Sequence, residues 1–204
     1  GTLGTAGLFF LKIDANDGDT VNLLGNVFTT TMDVGTDTVN FNSGSANIIS
    51  AGLTFTDDGI VRLAKDSTVT GALFTNTAQT GTLSLGGTTA VGDQWTGAVG
   101  GATGIRAIDV FNVAGGTNDS AVAAVTSQIT GAVDVYSISL GTNTLKIVGA
   151  LTFENPGPNS INTTLASATV YGNIIATAGG PAGTVFPATL GVNVLVPSTS
   201  YIPV

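Results

Sequence analysis

A small block, glycine followed by a small residue or asparagine and then by apolar residues, recurs along the whole chain and limits what it can fold into. The copies read Leu24-Gly25-Asn26-Val27-Phe28, Ala51-Gly52-Leu53-Thr54-Phe55, Thr70-Gly71-Ala72-Leu73-Phe74, Thr96-Gly97-Ala98-Val99, Thr130-Gly131-Ala132-Val133, Val148-Gly149-Ala150-Leu151 and Tyr171-Gly172-Asn173-Ile174-Ile175. Their glycines are separated by 27, 19, 26, 34, 18 and 23 residues, the scale on which one coil of a solenoid closes. Unequal spacing predicts coils of constant cross-section with loops of varying length at the corners, the largest within Gly100–Gly116 and Thr117–Ser127. The glycines Gly25, Gly52, Gly71, Gly97, Gly131, Gly149 and Gly172 are read as corners that need positive φ or close backbone approach.

A second block leads several of the first: Asp19-Thr20-Val21-Asn22-Leu23, Asp37-Thr38-Val39-Asn40-Phe41, Gly59-Ile60-Val61-Arg62-Leu63 and Gly81-Thr82-Leu83-Ser84-Leu85. Its apolar residues alternate with polar ones, as in a strand with one buried face. One coil cannot bury its inward row, but coils stacked at about 4.8 Å make a continuous core and pair their backbones. Composition agrees. Charged residues are 9% of the chain and glycines number 29, a profile of short strands and many turns, with helix formers scarce. The expected fold is all-β: a single-domain β-solenoid with irregular coils of about 18–30 residues and little or no α-helix.

Residues 1–18 are expected to form an N-terminal cap or assembly strand, 19–180 the coils, and 181–204 a proline-punctuated terminal strand or cap, with Pro181, Pro187, Pro197 and Pro203 marking an edge. Glu154-Asn155-Pro156-Gly157 reads as a turn between coils. The chain starts at Gly1 with no basic and apolar leader, which implies a mature or excised piece.

Charge and missing residue types exclude several functions. Thirteen carboxylates against five cations give a net charge of −8, and Lys12, Arg62, Lys65, Arg106 and Lys146 form no basic stripe in sequence, so nucleic acid is not an expected partner. Membrane insertion is not expected either, because no apolar run approaches the ~18 residues of a spanning helix and the strand-like segments are short. Without histidine or cysteine there is no Ser-His-Asp or Cys-His nucleophile and no zinc site built on those ligands. Two-carboxylate chemistry on a polysaccharide stays open in principle, but Asp109, Asp119, Asp134 and Glu154 are isolated in sequence.

The one stretch with metal-like spacing is Asp14-Ala15-Asn16-Asp17-Gly18-Asp19. Asp14, Asn16, Asp17 and Asp19 are candidate calcium ligands. However, Gly18 stands where an EF-hand loop places its third ligand, and no Glu closes the loop. A solvated turn explains the same residues, as it does Asp57-Asp58-Gly59. No other cofactor is expected. Trp95, Tyr136 and Tyr171 lie beside the glycine block and are read as packed on the solenoid rather than as sugar-stacking platforms.

Ser67-Thr68-Val69-Thr70-Gly71-Ala72-Leu73, Gly81-Thr82-Leu83-Ser84-Leu85-Gly86-Gly87 and Asn193-Val194-Leu195-Val196-Pro197-Ser198-Thr199-Ser200-Tyr201-Ile202-Pro203 resemble the passenger domains of autotransporter-type surface proteins, including rickettsial outer-membrane antigens. The resemblance covers most of the chain in style and implies an exported β-helical stalk or adhesin at the cell surface; the family's translocator barrel has no counterpart here. The expected function is a non-catalytic extracellular structural protein, a subunit of a fibre or layer or the stalk of a surface protein. Its open ends imply end-to-end self-association or continuation into a longer chain. The alternatives are an adhesin segment binding a host surface or glycan and, more distantly, a carbohydrate-active β-helix enzyme.

Overall fold

The computed structural model describes residues 2–13, 18–43, 46–64, 66–87, 92–112, 123–140, 143–154, 163–165 and 168–171. All regular structure among them is strand. In chain order these are β1 (Leu3–Ile13), β2 (Thr20–Leu23), β3 (Val27–Val34), β4 (Thr38–Phe41), β5 (Ala46–Phe55) and β6 (Ile60–Leu63). Then come β7 (Thr68–Thr70), β8 (Leu73–Thr75), β9 (Thr80–Leu85), β10 (Gln94–Thr96), β11 (Val99–Gly100) and β12 (Ile105–Val110). The last six are β13 (Thr126–Thr130), β14 (Val133–Ser139), β15 (Thr144–Val148), β16 (Leu151–Phe153), β17 (Thr163–Leu165) and β18 (Ala168–Tyr171).

Parallel pairing sorts these strands into three faces of a β-solenoid. Face A stacks β2, β4, β6, β9, β12 and the second half of β14. Face B stacks the first halves of β3 and β5 on β7, β10, β13 and β15. Face C stacks the second halves of β1, β3 and β5 on β8, β11, the first half of β14 and β16. Register-equivalent positions on face A run Thr20, Thr38, Ile60, Thr82, Ala107 and Ser137. Successive coils therefore take 18, 22, 22, 25 and 30 residues, so the cross-section is held while the corners absorb the length. The connection from β12 to β13, after Val110 and before Thr126, is the longest between the strands given above, and its residues 113–122 lie outside the described residues. Ile105–Val110, inside the 100–116 stretch expected to contain a large loop, forms a rung strand.

Alternation aims one side chain of each pair inward. On β4, Val39 and Phe41 are buried while Thr38 and Asn40 are partly exposed. Inward positions then form ladders along the axis. On face C, Leu11, Met32, Leu53, Leu73, Val99, Val133 and Leu151 stand in register, and on face A Val21, Val39, Val61, Leu83, Ile108 and Ile138 do the same. These rows join into one apolar core cluster. Contacts 18–34 residues apart in sequence become nearest neighbours, which is how a chain with so few charges buries its β-branched and leucine side chains.

The repeated glycine holds the corner between faces B and C. Gly71, Gly97, Gly131 and Gly149 have φ of 148°, 141°, 153° and 153°. They also stack, since a Cβ on Gly97 would lie 2.2 Å from the carbonyl oxygen of Gly71, and one on Gly131 would lie 2.3 Å from that of Gly97. The ladder runs through this corner unbroken: Gly97 N–H donates to Thr130 O and Val99 N–H to Ala132 O, both at 2.8 Å. Gly52 occupies the same corner one coil before Gly71, with φ 115°. Gly25 does not belong to this column. It lies between β2 and β3, at the A–B corner, and the residue paired with Gly52 in its coil is Thr31; a register shift at Thr29/Thr31 turns that corner without glycine. Gly172 lies outside the described residues, as do the prolines of 181–204 and the turn after Glu154.

The two ends of the stack differ. Leu3–Ile13 is a rung in register with β3, and no described strand pairs with its other edge. At the opposite end, β17 and β18 run antiparallel to β16 and β15.

Candidate functional site: a polar column on face A

The outward residues of face A form a second set of ladders. One column reads Asn22, Asn40, Arg62, Ser84, Asp109 and Ser139, one residue per rung. Both arginines of the chain bear on this face: Arg62 from the column itself, and Arg106 from β12, reaching back across two coils. Arg106 Nη2 donates to Thr82 Oγ1 at 2.8 Å and Nη1 is paired with the Asp58 carboxylate. Asp58 is pinned as well by Gly81 N–H, which donates to its Oδ1 at 3.0 Å. The Asp57-Asp58-Gly59 turn is thus tied into the stack by Arg106.

Crowding by these side chains covers outward positions that sequence alternation alone would leave in water. Ser84 is 2% exposed and Thr82 4%. Burial also pushes the Asp109 carboxyl above the usual carboxylate range, with Arg106 and then Arg62 pulling back. Three consecutive rungs carry a buried polar atom without a hydrogen-bond partner among the described residues: Asn40 Oδ1, Arg62 Nε and Ser84 Oγ. Asn40 is otherwise engaged, its Nδ2 donating to Asn22 Oδ1 at 2.9 Å.

The other carboxylates lie apart. Asp134 is on face C, in register with Thr152, and burial raises its pKa while a Thr152 hydrogen bond lowers it. Glu154 approaches Tyr136 at the C–A corner, where both crowd Gly104. Burial, with the Glu154 charge second, raises the Tyr136 phenol. Asp119 lies outside the described residues. So do Asp14, Asn16 and Asp17; Asp19 is described, its side chain exposed and its carbonyl accepting from Thr38 N–H at 2.9 Å. Among the described residues no three metal-ligating side chains converge.

Sequence reading missed a buried polar row at the A–B corner, made of Asn47, Ser67, Asp93, Ser127 and Asn143. These side chains replace backbone pairing where the chain turns. Val27 N–H donates to Asn47 Oδ1 at 2.9 Å, Val125 N–H to Asn143 Oδ1 at 3.1 Å, and Asn143 Nδ2 to Val110 O at 2.9 Å. Asp93 is the only titrating member: Ser67 N–H and Gly86 N–H each donate to its carboxylate at 2.6 Å. Burial outweighs those two bonds and raises it to about 7, with Asp66 adding a small push.

A folded pKa above the unfolded value means that the native state holds the proton more tightly, so this group's contribution is full below about pH 4 and is lost as pH rises through about 7. Stability measured by urea unfolding is therefore expected to be higher at pH 5 than at pH 8, by on the order of 2–3 kcal/mol from Asp93 alone. Asp109 and Asp134 act in the same direction. Asp93→Asn should flatten the profile. A wild type more stable at pH 8 would contradict this account of the corner.

The indole of Trp95 is buried in face B, with Nε1 donating to Gly71 O at 2.8 Å; it is a core residue. Comparison with known proteins gives no match to a family model, to a curated protein or to a solved structure.

Proposed function

We propose that this chain is a non-catalytic, extracellular structural element, a rigid segment of a surface fibre, layer or stalk that lengthens along the solenoid axis. The observation that carries the reading is the N-terminal rung. The outer edge of β1 meets no described strand, Phe9 is 83% exposed and Phe10 51%, and the core residues Leu11, Val21 and Leu23 at that end are only partly buried. An unpaired strand edge beside exposed aromatic surface is a template for another rung. That rung comes either from further residues of the same polypeptide or from another copy.

The test is sedimentation velocity from about 1 to 100 μM, a range that reports affinities of roughly −8 to −5 kcal/mol. Wild type is expected to shift to larger species with concentration, and a Phe9→Ser/Phe10→Ser variant to stay at the monomer value. A monomer at every concentration would count against self-joining through this end.

A further inference from the structure

The two ends of the stack differ in what they offer a partner. Of the seven large apolar side chains exposed among the described residues, four (Leu3, Phe9, Phe10 and Leu24) lie within 3–24, the first coil. Its edge strand β1 is eleven residues long, and its one charged residue is Lys12. Sheet edges are commonly kept short, covered or charged to prevent pairing; β1 is long, and no described strand covers its outer edge. At the other end β15 and β16 are already paired by β18 and β17, which are only four and three residues long.

Building on the axial reading above, we infer that the partner at this end is a second copy of the chain, joined β1 to β1 across a twofold axis. An edge paired with itself through a twofold is antiparallel, and each copy presents the same surface to the other. Edge length selects this joint over a head-to-tail one. Leu8–Ile13, which runs in register with β3 on face C, offers six residues to an identical strand and so about six backbone hydrogen bonds. Head-to-tail joining on the same face would set it against β17, whose three residues offer about half as many. The twofold also brings Phe9 and Phe10 of both copies to one joint, where aromatic pairs add to the burial. Charge favours it as well: on a chain of net charge −8, Leu3–Ile13 carries no carboxylate. A twofold at Phe10 sets each Lys12 opposite Leu8 of the other copy, so the two cations do not face each other. Such a joint closes on itself, and association stops at two chains.

The test combines sedimentation equilibrium of the full chain from about 1 to 100 μM with cross-linking of a Lys12→Cys variant by a short bismaleimide, in a chain that otherwise has no cysteine. The mass is expected to level off at two chains, and Lys12→Cys to give a covalent dimer. Adding Phe9→Ser/Phe10→Ser should abolish both. The two phenylalanines are exposed, and unchanged circular dichroism would show that the fold survives their replacement. A mass that keeps rising beyond two chains would overturn the twofold joint and leave axial joining standing, whereas a monomer at every concentration would overturn both. A two-chain mass that gives no cross-link, or that ignores the phenylalanine substitutions in a folded variant, would place the joint elsewhere and overturn the inference too.

Discussion

Gly97→Ala is expected to destabilise the fold by about 3 kcal/mol or more, because it combines a φ that side chains rarely adopt with a backbone collision. At φ 141° the new methyl carbon would sit 2.2 Å from Gly71 O and 2.6 Å from the Gly71 carbonyl carbon. Neither is the tip of a side chain that can swing away. Relief requires separation from the preceding coil at the corner, where Gly71 N–H and Leu73 N–H donate to Thr96 O and Ala98 O, so strain and lost pairing add. Gly18→Ala is the control: its φ is 83°, but a Cβ there meets nothing within 4 Å, so only the backbone term, about 1 kcal/mol, remains. Urea unfolding of the two variants checks this, and equal losses would mean that the stacked corner is not the source.

Trp95→Ala should cost about 3–5 kcal/mol, the range for deleting a fully buried aromatic side chain. Trp95 is 0% exposed and stands in its ladder between Val69 and Ile129, in positions that tolerate little collapse because the rungs on both sides are fixed by pairing. Its loss also removes the Nε1 donor from Gly71 O, the same carbonyl that Gly97 approaches. Trp95→Phe keeps most of the volume and forfeits the hydrogen bond, so a loss of about 1–2 kcal/mol is expected. Tryptophan fluorescence of the wild type should be blue-shifted and poorly quenched by acrylamide, losing both properties on unfolding. An exposed, readily quenched indole would contradict its place in face B.

Two features made the fold legible in the sequence. The block led by Thr20, Thr38, Ile60 and Thr82 supplied four successive rungs of face A, and the structure pairs those residues with one another. The glycine block was legible because the B–C corner imposes the same steric demand on successive coils from Gly71 to Gly149, where each glycine lies against the backbone of the coil before it. Gly25 matched the pattern of that block yet stands at another corner, since its coil turns at Thr30–Thr31 through a register shift, and a shift has no fixed residue signature.

The polar features were harder to see. Asp93, Asn47 and Asn143 look in sequence like ordinary turn residues, and their burial arises only once coils stack. The face A column was invisible for the same reason: Asn40, Arg62 and Ser84 are 22 residues apart at each step, and nothing local distinguishes an outward serine from one flanked by arginines on the two adjacent coils. Asp58 read as a bare turn residue because its partner, Arg106, is 48 positions on.

Small-angle X-ray scattering of the purified chain over a concentration series tests the structural reading most directly, because it separates growth in length from growth in width. Axial joining through the β1 end predicts a maximum dimension that increases with concentration while the cross-sectional radius stays constant, and Phe9→Ser/Phe10→Ser should abolish the increase. Mass and length that stay fixed at every concentration, or growth that thickens the particle and ignores the β1 substitutions, would contradict it.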